Sequence, residues 1–348
     1  MSEESIMDPA PSTIELTSEE IMRDRLLRFY SEQIYLLKNG GSNDVRAIAN
    51  GAIESIHQLF PEEAEQNEYY WGPAHLSDLI YKYAQERKEK GGLPGFDTGF
   101  PTINNMFGGF TESEIYAFIA RSGTGKTTML TQLADTISRQ TTTVFFSPEA
   151  KALNLGTRLI SMLTNIQFMQ IFRGDISDRE LDLVRRATEV MKKRPLFIYD
   201  MPAIHTREMG RIIDRVERST GQRVGCIIID YLQQMDGEET YIDISNNMKA
   251  VEVLTRKRNV MTILTSQANR ASDDGTGLGA GRGSGKIEDL AAGVFNLVRP
   301  KPTKDNPYPD KNLRHLICSK NRPTGNTFTL DLRFVPQMGK YKEDGLSD

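Results

Sequence analysis

The chain has 348 residues, with 43 lysines and arginines against 47 aspartates and glutamates, for a formal net charge of -4. That length holds one large domain with an appendage, or two domains. A content of 38% hydrophobic and 26% charged residues excludes collagen-like, low-complexity and wholly disordered classes. A mildly acidic chain has no global attraction for a polyanion, so any nucleic-acid contact must come from a local patch. No stretch approaches about 18 uninterrupted apolar residues, and the opening MSEESIMDPAP lacks a basic n-region and an apolar h-region. A soluble, cytoplasmic protein without a membrane partner is expected. Cys226 and Cys318 lie in apolar runs without neighbouring ligand residues, which points to core packing rather than a disulfide or a zinc site.

The first twenty residues carry six acidic side chains and no basic one, together with Pro9 and Pro11, so residues 1–17 read as a solvated acidic tail. Thr17 and Glu20 resemble a capping box that opens a helix ending at Gly40-Gly41. A second helical run is predicted from about Asp44 to Phe60, before Pro61, and a third from about Ala74 to Lys90, before Gly91-Gly92. Residues 18–91 thus form a small helical N-terminal region, in which Trp71 is expected to pack against the following domain or a neighbouring subunit. From Gly92 the pattern changes to short Val-, Ile- and Phe-rich runs separated by helical stretches, the mark of an α/β domain with a mostly parallel sheet over residues 92–338. The strand candidates are 115–120, 143–147, 196–200, 226–230, 261–266, 293–299, 313–320 and 327–334, and residues 339–348 read as a C-terminal tail.

The sequence Ala120-Arg121-Ser122-Gly123-Thr124-Gly125-Lys126-Thr127 follows the strand IYAFIA and precedes a helical run. This is a P-loop in the context it requires, although Ala120 stands where the stricter pattern has glycine. Backbone N–H groups of Ser122 to Thr128 would cradle phosphates, Lys126 would reach the β and γ oxygens of ATP, and Thr127 would offer its hydroxyl to Mg²⁺. The run Cys226-Ile227-Ile228-Ile229 ends in Asp230, a carboxylate at a strand tip suited to the same Mg²⁺. Glu149, after TVFFSP, is the candidate base for the attacking water, and Gln267, after MTILTS, could read the γ-phosphate.

Several motifs in this order resemble the replicative hexameric helicases of the DnaB type. LPGFDTGF leads into the first strand and P-loop, FFSPEA is similar to the family's glutamate motif, IIIDYLQQM to its Walker B motif, SQANR to its sensor motif, and Lys320-Asn321-Arg322 to its Lys-x-Arg hairpin. The resemblance covers roughly Gly92 to Val335. It implies a RecA-like P-loop NTPase core, and a homohexameric ring that moves on single-stranded DNA and unwinds duplex. Lys320 and Arg322 would act in trans on the neighbour's nucleotide. The glycine-rich stretch between Gln267 and Glu288 would be a flexible pore loop gripping DNA phosphates through Arg282, Gly283, Gly285 and Lys286. Cellular members carry a larger collar domain that engages primase, whereas about 90 residues precede the motor here, so a primase or helicase loader is only a possible partner. A recombinase-like filament ATPase and an ATP-switched replisome scaffold are the alternative readings. The basic stretch Arg299 to Arg322, with four prolines, reads as an outer, solvated connection, and His205 has no assigned partner.

Overall fold

The computed structural model describes residues 30–31, 72–201, 204–232, 235, 241–267, 284–302 and 308–345. The acidic tail, the first two predicted helices apart from residues 30–31, Trp71, Arg282 and Gly283 lie outside them. The chain divides into two units at Lys90/Gly91. In the first, α1 (Pro73–Lys90) has no buried residue and gathers Arg87, Lys88 and Lys90 in its last turn, where cations suit the helix dipole. Leu79, Ile80 and Tyr83 form part of an exposed apolar stripe along it.

The second unit is built on one nine-stranded sheet. In chain order its elements are α2 (Pro101–Phe107), β1 (Ile115–Ala120), α3 (Lys126–Ile137), β2 (Thr142–Phe146), α4 (Ala152–Thr164), α5 (Phe168–Arg173), α6 (Asp178–Lys192), β3 (Leu196–Tyr199), α7 (Thr206–Thr220) and β4 (Val224–Ile229). There follow α8 (Tyr241–Arg258), β5 (Met261–Gln267), α9 (Ser284–Leu290), β6 (Gly293–Val298), β7 (Leu313–Asn321), β8 (Phe328–Val335) and β9 (Lys340–Glu343). The sheet order is β3-β2-β4-β5-β1-β6-β7-β8-β9. The strands from β3 to β6 are parallel, and β6 to β9 continue as an antiparallel meander.

The apolar runs of β1, β4 and β5 are continuous because helices cover both faces of the sheet. Period-two alternation sends Tyr116, Phe118 and Ala120 of β1 into one core with α2 and α3, and Ile115, Ala117 and Ile119 into the other with α7, α8 and α9. Helix α7 buries Met209, Ile212, Ile213 and Val216, an i, i+3, i+4, i+7 stripe, and ends at Gly221 in the left-handed conformation. His205 occupies its N-cap position. Cys226 and Cys318 are buried free thiols, and burial pushes the Cys318 thiol up to about 12. No helix among the described residues is long and apolar enough to cross a membrane.

One boundary differs from the sequence reading. Residues 340–343, assigned to a tail, form β9, with Phe334 opposite Tyr341. The segment KYKE has a single apolar residue, too little for a hydrophobic signal. It is held instead by tertiary contacts: Glu343 accepts from the Thr102 N–H (2.9 Å) and Oγ1 (2.7 Å) at the start of α2, and Tyr341 sinks into the core.

Candidate functional site

Strands β2, β4, β5 and β1 are neighbours and parallel, so their carboxyl ends open on one edge, where α/β folds bind ligands. Glu149 follows β2, Asp230 caps β4, Gln267 ends β5 in register with Ala120, and the P-loop leaves β1. The loop turns through Gly123 (φ 73°) and Gly125 (φ 115°), left-handed values that glycine adopts without strain, and α3 begins at Lys126. Its first-turn N–H groups therefore face the loop, an arrangement suited to an anion. Ser122 and Gly123 are exposed, whereas Thr124, Lys126 and Thr128 are buried.

Lys126 folds back to donate from Nζ to the Ala120 carbonyl at 3.1 Å. Burial lowers its pKa, opposed by the charges of Asp230 and Glu149. Asp230 is fully buried, yet both carboxylate oxygens are met: Oδ2 accepts from Thr127 Oγ1 at 2.9 Å, and Oδ1 from Thr265 Oγ1 at 2.7 Å. No cluster of three or more His, Cys, Asp or Glu side chains able to hold a metal occurs among the described residues. The Thr127–Asp230 pair nevertheless suits Mg²⁺, which takes few protein oxygens and fills the remaining positions with water and phosphate.

Glu149 is held at the tip of β2 by a tight turn in which Ser147 Oγ donates to the Ala150 carbonyl (2.6 Å) and accepts from the Ala150 N–H (3.1 Å). Partial burial raises its carboxyl pKa, the Asp230 charge adds to this, and Lys126 opposes it. A carboxyl with a raised pKa beside a phosphate cradle is placed to accept a proton from water.

Lys320 and Arg322 do not join this cluster. Asn321 pairs with Gly293 at the start of β6, and the Arg322 N–H bonds the Ala292 carbonyl, so both cations lie at the amino edge of the parallel strands. There Arg322 pairs with Glu114 (3.0 Å) and donates to the Leu290 carbonyl (2.8 Å), while Lys320 donates to the carbonyls of Glu288 and Asp289. Gly285 and Lys286, expected in a flexible loop, lie in the first turn of α9, and the Lys286 ammonium is 3.9 Å from Asp289. The fully buried Ile287 explains the difference, because one apolar anchor docks this end of the glycine-rich stretch on the core.

Sequence reasoning missed several contributors. Thr265 was legible only as one polar residue in a buried strand. Arg158 on α4 donates to Thr128 Oγ1 (3.3 Å) and stacks 4.7 Å from the Phe168 ring centroid. The basic stretch from Arg299 is not wholly an outer connection: Arg314 is buried and donates from Nε to the Thr124 carbonyl at 2.9 Å, and Arg299 approaches the Gly123 carbonyl at 3.5 Å. Counting charges and prolines cannot reveal a guanidinium that inserts beneath a loop.

The model of the DnaB-like helicase C-terminal domain matches residues 95–343. Among curated relatives, the replicative helicase DnaB of Nostoc is 26% identical over 73% of this chain and 29% of its own length. The replicative helicase DnaC of Bacillus subtilis is 26% identical over 74% of this chain and 58% of its own. The chain thus spans less than two thirds of these relatives. Among solved structures, the ATPase domain of G40P superposes with a TM-score of 0.69 at 22% identity, over 78% of this chain and 99% of that one. A DnaB-like replicative helicase studied with its primase interactions gives 0.70 at 19% identity, over 93% and 76%. These two likenesses establish the α/β, RecA-like fold, and with the family model matching most of its length the chain belongs to the DnaB-like helicase C-terminal domain family.

Proposed function

We propose that this chain is the ATP-driven motor of a replicative DNA helicase, working as a homohexameric ring on single-stranded DNA. The observation that carries the reading is a division of labour across the sheet. Lys126, Thr127, Glu149, Asp230 and Gln267 gather at the carboxyl edge, and Lys320 with Arg322 stands at the opposite one.

ATP would be held by the P-loop N–H groups from Ser122 to Thr128 and by Lys126. Mg²⁺, held by Thr127 and Asp230, would neutralise phosphate charge. Glu149 takes the proton of the attacking water, and Gln267 senses the γ-phosphate. A neighbouring copy supplies Lys320 and Arg322, which oppose the charge that develops on the transferring phosphoryl group. DNA phosphates would be gripped by Arg282, Gly283, Gly285 and Lys286 of each copy, so that ring closure concentrates positive charge a mildly acidic chain otherwise lacks. The setting is the cytoplasm of a bacterial or phage-infected cell, and a primase or helicase loader is the further class of partner this reading implies.

The test is unwinding of a forked duplex by the wild type and by Glu149→Gln, with hydrolysis followed in the same tubes with and without single-stranded DNA. Strand separation and DNA-stimulated hydrolysis are expected for the wild type and lost together in the variant. Hydrolysis stimulated by DNA without strand separation, even with a loader supplied, would defeat the helicase reading.

A further inference from the structure

The carbonyl of Thr124, inside the P-loop, accepts two side-chain donors from the distant C-terminal strands: Arg314 Nε at 2.9 Å and Tyr341 Oη at 3.2 Å. Both donors are buried, 5% and 3% exposed. Arg314 makes no ion pair among the described residues, and its Nη1 donates to the carbonyls of Lys311 (2.8 Å) and Leu313 (2.6 Å). A buried guanidinium held mainly by backbone carbonyls is costly to keep, and a purely packing role would be met better by an apolar side chain.

Tyr341 is fixed from both ends. Its N–H donates to Gln132 Oε1 (2.7 Å) and its carbonyl accepts from Gln132 Nε2 (2.9 Å), on the helix whose first turn holds Lys126 and Thr127. Its hydroxyl lies against the loop so closely that a Cβ on Gly125 would fall 1.9 Å from Oη.

The Thr124 carbonyl and the Gly125 N–H belong to one planar trans peptide and point to opposite sides. We propose that Tyr341 and Arg314 are positioning residues that preorganise the P-loop: by holding the Thr124 carbonyl outward they turn the Gly125 N–H towards the phosphate cradle. Glycines at 123 and 125 give the loop its shape but also conformational freedom, which a ligand would otherwise have to remove on binding. The two side chains remove that freedom beforehand and set nucleotide affinity without touching the nucleotide. The inference rests on the nucleotide reading of the P-loop given above.

The experiment is calorimetric titration of the full chain with Mg²⁺-ADP for the wild type, Lys126→Ala, Tyr341→Phe and Arg314→Met, with melting temperatures and steady-state hydrolysis of ATP alongside. Tyr341→Phe keeps the ring and removes one neutral hydrogen bond, so its Kd should rise about two- to tenfold. Arg314→Met removes a charged donor and should raise Kd about ten- to a hundredfold. In Tyr341→Phe the KM for ATP should rise by the same factor as Kd, kcat should stay within about twofold, and the Gly125 amide should exchange faster with solvent. Wild-type Kd in Tyr341→Phe, or a lowered kcat at unchanged KM, overturns the positioning role while the nucleotide reading stands. A wild type that fails to bind Mg²⁺-ADP, or a Lys126→Ala that binds it equally well, removes both.

Discussion

Asp230 offers the sharpest test of how the site is held together. Its carboxylate is fully buried, and its side-chain donors among the described residues are Thr127 at 2.9 Å and Thr265 at 2.7 Å. Thr265→Val is nearly isosteric and preserves strand propensity, so the change isolates one hydroxyl. A hydrogen bond to a charged group contributes about 1.5–3 kcal/mol, and the orphaned Oδ1 has no route to solvent. For a unit of this size about 2 kcal/mol lowers the melting temperature by roughly 4–8 °C. Hydrolysis should fall about tenfold, because an unrestrained carboxylate no longer meets Thr127 in one geometry. Thr265→Ser, which retains the donor, should recover most of both losses. Thermal melts without nucleotide and steady-state hydrolysis of ATP read the two effects. A Thr265→Val protein as stable as the wild type would refute the claim that this hydroxyl supports the buried carboxylate.

Glu149→Gln should reduce turnover at least about a hundredfold while raising the melting temperature near neutral pH. The sign follows from its raised carboxyl pKa: the folded chain keeps the proton to higher pH than the unfolded chain, so the penalty of ionisation is absent below the ordinary carboxylate range and sets in as pH rises through the raised value. In the wild type the acid limb of turnover should accordingly lie above that ordinary range, and an acid limb at an unperturbed carboxylate value in a pH–kcat profile would contradict the assignment. Gly125→Ala forces a side chain onto a φ of 115° and against Tyr341 Oη, which should cost about 1–3 kcal/mol and most nucleotide binding. Adding Tyr341→Phe should restore part of the melting temperature, and strict additivity of the two changes would show that they do not meet. Arg322→Ala should leave nucleotide binding nearly intact and lower turnover at least about a hundredfold, with little change in melting temperature, since its half-exposed pair with Glu114 contributes at most about 1 kcal/mol.

The parallel half of the sheet was legible because each buried strand is a continuous apolar run between turn residues, and its boundaries fell within a residue or two of prediction, as for IYAFIA at 115–120. The P-loop, Asp230 and Glu149 were legible for the same reason, since each stands where such a run ends. The supports of the site were not. Thr265 differs from its neighbours by a single oxygen, Arg314 hides in a stretch whose charge suggests solvent, and Tyr341 sits in a segment with no periodicity. Each acts through a contact far away in sequence, at separations such as Tyr341 to Thr124, and local pattern carries no information about those.

Strand β7 joins the two ends of this mechanism. Arg314 near its start reaches the chain's own P-loop, and Lys320 and Arg322 stand at and just beyond its end. At about 3.4 Å per residue in an antiparallel strand the interval from Arg314 to Arg322 is about 27 Å, too far for Arg322 to serve the nucleotide site of its own chain. If a second copy supplies it, two inactive variants should complement. In a mixture of Glu149→Gln and Arg322→Ala chains, some interfaces join the intact Glu149 of one to the intact Arg322 of the other, and only these hydrolyse. Mixing equal amounts should therefore restore turnover to a level well above either variant alone, rising with the statistical fraction of such interfaces. A finger acting in cis predicts no recovery at any ratio, because every chain in the mixture lacks one of the two groups.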